Sequence, residues 1–113
     1  MATKIPQAKS MPEETFAQHL KVANIPFERQ FYPPPEKRWP WDFAIGDEWM
    51  RDRILIEIQG GSWSGGAHVR GKGFQRDCEK FNAATRAGYR CLKFTTEDVV
   101  SGKALEFVEG MIE

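Results

Sequence analysis

Hydrophobic and polar positions divide the chain into a short series of regular elements. The most apolar run is Ile54-Leu55-Ile56-Glu57-Ile58, which reads as a central strand buried on both faces with one carboxylate set into it. Upstream, Phe16, Ala17, Leu20 and Ala23 recur at helical spacing. They follow Ser10-Met11-Pro12-Glu13, which has the spacing of a capping box with proline in the first turn, and Asn24 and Pro26 stop the helix. Pro26 to Tyr32 is short and aromatic, Pro33-Pro34-Pro35-Glu36-Lys37 interrupts it, and Trp39 to Ile45 resumes strand character. Two antiparallel strands joined by a stiff proline loop are expected, with a turn at Gly46-Asp47-Glu48 leading to the central strand. Beyond a glycine-rich loop from Gly60 to Gly66, the pattern predicts a helix from about Gly73 to Arg86, ended by Gly88, and a strand from Tyr89 to Phe94. Strand, helix, strand implies a parallel right-handed crossover. Thr95-Thr96-Glu97-Asp98 starts a last helical segment carrying Val100, Ala104, Phe107, Val108 and Met111, interrupted near Gly102.

This order describes an α/β fold, a small mixed sheet of about four strands flanked by helices. With 113 residues there is room for one core, so a flexible arm at 1–9 and a single domain at 10–113 are expected. Composition agrees, since 41% hydrophobic residues, including eight Phe and four Trp, are enough to fill a core without disulfides. Cys78 and Cys91 form no spaced framework, and no signal peptide or long apolar run stands out, which together read as a reduced cytoplasmic protein with no membrane partner. Neither the cysteines nor His19 and His68 have zinc-ligand spacing.

Charge changes the picture only through its distribution. Sixteen basic residues balance sixteen acidic ones. Between Arg70 and Lys93, however, seven basic residues face only Asp77 and Glu79, whereas from Glu97 onward five acids face one lysine. A basic middle and an acidic tail suit a molecule that turns one face to phosphates. Gly66-Ala67-His68-Val69-Arg70-Gly71-Lys72-Gly73 has the glycines and lysine of a phosphate-cradling loop but ends in Gly where Ser or Thr would hold Mg²⁺, so no nucleotide cofactor is expected. The same segment offers N–H groups at a helix start beside His68, Arg70 and Lys72, a way to hold a nucleic-acid backbone.

The chemistry centres on Asp42 and Glu57. Asp42 lies mid-strand, out of phase with Trp41 and Phe43, and an antiparallel neighbour brings Glu57 beside it. Two carboxylates in a partly dry site repel unless neutralised, and a hard cation such as Mg²⁺ meets that need. It would also acidify a water and polarise a phosphoryl oxygen, the demands of phosphodiester hydrolysis. Gln59 shares the strand face of Glu57 and can orient that water without taking its proton. The competing reading leaves both carboxylates solvated at strand edges or paired with Arg38 or Arg53.

Trp41-Asp42-Phe43-Ala44 followed by Ile56-Glu57-Ile58-Gln59-Gly60-Gly61 resembles the PD-(D/E)xK nucleases. The chain looks most like their small branch, similar to very-short-patch-repair endonucleases, phage nucleases and Holliday junction resolvases. Gly88 to Thr95 is similar to that branch's last strand, and the likeness covers roughly Glu13 to Val100. The resemblance implies a restriction-endonuclease-like fold and a Mg²⁺-dependent DNA endonuclease, with Mn²⁺ as a possible substitute, of bacterial or phage-infected host cells, acting in repair or recombination. It implies metal ligation by Asp42, Glu57 and the Ile58 carbonyl, a part for Glu13 on the first helix, and water activation at the third motif position. That position is Gln59 instead of Lys, so a migrated lysine is sought among Lys72, Lys80 and Lys93. Arg38, His68, Arg70, Lys72, Arg76 and Lys80 are the candidate nucleic-acid contacts, while Glu13 is equally well explained as the partner of Ser10 in the capping box. The small surface favours structure-selective or nicking activity, with a possible homodimer for symmetric substrates. The alternatives are a catalytically weak DNA- or partner-binding module and an RNA-cutting nuclease.

Overall fold

A computed structural model describes residues 10–47, 53–59 and 72–112. In chain order the elements are α1 (Ser10–Val22), β1 (Phe27–Phe31), β2 (Trp41–Ile45), β3 (Ile54–Gln59), α2 (Lys72–Arg86), β4 (Arg90–Thr95), α3 (Thr96–Val100) and α4 (Lys103–Ile112). One four-stranded sheet runs β1-β2-β3-β4, antiparallel except for the parallel β3–β4 pair, as the strand-helix-strand order predicts. The second strand starts at Trp41, two residues later than the hydrophobic pattern predicts, because Pro40 has no N–H for a ladder. The arm at 1–9 and residues 60–71, which take in the whole glycine-rich loop with Trp63 and then His68 and Arg70, lie outside the described residues.

Strand alternation splits the apolar side chains into two layers, except at Trp41, which has the parity of Phe43 and Ile45 but packs with Ala44 and Leu55 on the other face. Phe43, Ile45, Ile54, Ile56, Ile58 and Phe94 pack against Phe16 and Leu20 of α1, Val99 of α3 and Val108 of α4. Phe16 meets Phe43 edge to face at 5.1 Å between ring centroids. On the other face a smaller cluster of Trp41, Ala44 and Leu55 meets Ala84 of α2, with Phe81, Tyr89 and Cys91 around it. The small Ala44 and Ala84 let α2 approach the sheet closely.

Local signals fix the element ends. Asn24, at φ 59°, takes the left-handed turn that ends α1, and Gly88, at φ 100°, does the same after α2, where Tyr89 N–H returns to the Ala84 carbonyl at 3.1 Å. Thr95 caps α3 by accepting from Asp98 N–H at 3.0 Å, while the Asp98 carboxylate accepts from Thr95 N–H at 3.0 Å. The Thr95 N–H, and then the Thr95 hydroxyl, act on the Asp98 carboxylate and hold it below its ordinary pKa. Gly102, at φ 88°, separates α3 from α4, so the expected interruption becomes two helices.

Among the described residues Arg53 is the buried charged one, at 4% exposure. Its guanidinium donates to Glu28 at 2.8 Å and to the Gly46 carbonyl at 2.9 Å and lies 4.8 Å from the Phe31 ring centroid, tying the start of β3 to β1 and β2. Among the described residues no helix is long and apolar enough to cross a membrane.

Candidate active site

Glu57 faces α2, where it meets Lys80, and extending the β2–β3 register by one residue sets Asp42 opposite it. Recorded pairing stops at Phe43–Ile56, where the Asp42 carboxylate takes over as acceptor for the next available N–H, that of Ile58, at 2.8 Å. The strands thus part where the carboxylates meet. Burial, and then the negative charge of Asp42, push the Glu57 carboxyl from 4.5 up to about 7, with Lys80 pulling the other way. The shift reflects burial first and the neighbouring Asp42 second.

Lys80 provides the partial neutralisation. It lies two turns into α2, and its ammonium donates to Glu57 and to the Pro40 carbonyl, the latter at 2.7 Å, while resting 4.8 Å from the Trp41 ring centroid. Trp41, 1% exposed, provides a fixed wall against which this side chain is ordered. An ammonium has three donors, and two are engaged among the described residues. The third is left for a water or a phosphate oxygen.

Glu57, Gln59, Asp77, Lys80 and Lys93 line a cavity of about 230 Å³, with Trp41 and Ile58 completing its wall. Lys93 is the register partner of Glu57 on β4. Asp42 reaches this space through Glu57 and Ile58 rather than lining it. The structure therefore brings together Asp42, Glu57, Ile58, Gln59 and Lys80. Of the three lysines sought, Lys80 is bound to Glu57, Lys93 lines the same cavity, and Lys72 is the first residue of α2.

The remaining candidates lie elsewhere. Glu13 pairs with Arg29 at 3.7 Å, and Arg29 sits over Phe43 on the α1 face, opposite the carboxylates. Its alternative part as a cap partner of Ser10 falls on a side chain outside the described set. Arg38 pairs with Glu36 at 3.6 Å and Arg53 with Glu28 at 2.8 Å, so neither arginine neutralises Asp42 or Glu57. Arg76 is exposed on α2. Asp77 was visible in the sequence only as a charge opposing the basic middle; its position one turn before Lys80 was the available signal.

Among the described residues no three His, Cys, Asp or Glu side chains gather as a metal site. Magnesium asks for less, one or two carboxylates with the rest of its shell from water and other oxygens. Asp42 and Glu57 fit that demand, Glu57 carrying a pKa raised by burial and then by the charge of Asp42, and the Ile58 carbonyl is a further oxygen beside them. Compared with models of protein families, with curated proteins and with solved structures, the chain gives no match.

Proposed function

We propose that this protein is a metal-dependent DNA endonuclease with a restriction-endonuclease-like fold, a PD-(D/E)xK nuclease whose third-motif lysine is replaced in space by Lys80. The observation that carries this reading is the contact of the Lys80 ammonium with Glu57, next to Asp42 and at the wall of an open cavity. Gln59 leaves the cavity without a basic group from β3, and α2 supplies one from the other side.

Asp42, Glu57 and the Ile58 carbonyl would hold Mg²⁺. Bound there, the ion would supply a polarised phosphoryl oxygen and a more acidic water. The protein's own groups do the rest. Lys80, with one donor unengaged among the described residues, steadies the attacking oxygen and the negative charge that grows on phosphorus. Gln59 orients the water through its amide, and Lys93 adds a second positive charge at the cavity wall for the incoming phosphate.

The test is cleavage of duplex, flapped and four-way-junction DNA, and of RNA, with Mg²⁺, Mn²⁺ or EDTA. Metal-dependent cutting should be lost in Asp42→Asn and Glu57→Gln and fall at least a hundredfold in Lys80→Met, the scale of a positioned acid–base group. Full activity in Lys80→Met sinks the role given to that lysine. One feature favours a second reading, a nuclease-like binding module: Lys80 already offsets part of the carboxylate charge without a metal. DNA binding with no cleavage under either metal would select it.

A further inference from the structure

We propose that the substrate is a nucleic acid with unpaired bases at the cut, its strand running along α2 with a base stacked on Trp39. This rests on the nuclease reading above and names its substrate class. Trp39 is only half-buried and belongs to neither apolar layer, unlike Trp41 two residues later. The Arg38 guanidinium lies 4.5 Å from its ring centroid. With Asn82 and Arg86 of α2, these two residues line an open groove of about 400 Å³.

The groove continues into the catalytic cavity. Trp39, Trp41 and Lys80 share one crevice, and Trp41 and Lys80 also line the cavity. From Lys80 to Arg86 the helix advances about 9 Å. At the roughly 3.4 Å step of a stacked strand this is at most two to three nucleotides, and fewer for an extended unpaired one. On the far side of the cavity Phe74, 55% exposed, precedes Asp77 by one turn of α2. Two aromatic rings thus stand near α2, the exposed Phe74 in its first turn and the half-buried Trp39 from the segment before β2.

Charge favours a base over a peptide or the flank of a duplex. The acids of the groove are engaged, Glu36 with Arg38 at 3.6 Å and Glu79 with Gln75 at 3.1 Å. Arg86 and Asn82 have no side-chain partner among the described residues. A groove with little net charge, one uncommitted guanidinium and one amide suits a neutral base with its phosphate at Arg86. Within a duplex both faces of a base are covered by its neighbours, so only an unpaired base can lie on the indole.

The test is fluorescence anisotropy in EDTA with two labelled probes, a short oligothymidine and a fully paired duplex of two annealed strands. Wild type should bind the single strand more tightly, and Trp39→Ala should weaken that binding about tenfold, the loss of one stacked base. Trp39→Tyr should restore most of it, and Arg86→Gln, an exposed change that leaves the fold intact, should weaken binding and flatten its salt dependence. Melting of each variant shows that it is folded. Preference of the wild type for duplex, or unchanged single-strand binding in both Trp39→Ala and Arg86→Gln, overturns the proposal. Failure of the subsite alone leaves metal-dependent cleavage in the wild type. Failure of the nuclease reading alone leaves Trp39-dependent binding with no cleavage.

Discussion

Replacing Glu57 by glutamine should make the protein more stable at alkaline pH while removing its chemistry. Folding raises this carboxyl from 4.5 to about 7. The native state therefore holds the proton more tightly than the unfolded chain, so the group's contribution is full below about pH 4.5 and is lost as pH climbs through about 7. The difference corresponds to about 3 kcal/mol, with a slope of about 1.4 kcal/mol per pH unit between those limits. The Glu57 side chain is 19% exposed, so water screens little of it. The amide has the shape of the protonated acid, accepts from Lys80 through its oxygen and does not titrate. Urea unfolding of wild type and Glu57→Gln, both in EDTA from pH 5 to 8, isolates the effect, because every distant group cancels in the difference. The stability of Glu57→Gln relative to wild type should rise across the range by about 2 to 3 kcal/mol. A flat difference would refute the raised pKa. A difference falling with pH would mean that the ion pair with Lys80 outweighs burial and Asp42, reversing the electrostatic account of the site.

Metal should reverse this penalty. Apparent Mg²⁺ affinity, measured by calorimetry, is expected to rise about tenfold per pH unit up to about pH 7 and then level off, as the ion displaces one proton from Glu57; a pH-independent affinity would remove Glu57 from the ligand set. Away from the site, Arg53→Met leaves the Gly46 carbonyl without its 2.9 Å donor and should cost about 2 kcal/mol in urea unfolding. A loss below about 0.5 kcal/mol, within the range of ordinary surface substitutions, would show that Arg53 does not tie the three strands together.

The elements were legible because their signals are local. Helical spacing from Phe16 to Ala23, the proline break after Tyr32 and the glycine near residue 102 each act within a few positions. The carboxylate pair was legible for the same reason, since strand period and antiparallel neighbourhood set Asp42 beside Glu57. Lys80 could only be one of three lysines. Its choice depends on how far α2 slides over β2, which the packing of Ala84 against Trp41, Ala44 and Leu55 decides and no short window records. Glu13 shows the opposite failure: its helix was read correctly, but which face of the sheet that helix covers is a tertiary fact.

The two apolar layers are unequal, and the reacting groups lie on the lighter one. Phe16, Leu20, Val99 and Val108 clamp α1, α3 and α4 to the sheet, whereas α2 is held through Ala84, Phe81 and a few neighbours. Sub-global opening should therefore start with α2 lifting away while the sheet and the other helices stay closed. Each such excursion separates Lys80 from Glu57 and takes the wall off the cavity. The working life of the site is then set by the opening of one helix, and inactivation on warming should precede melting of the domain.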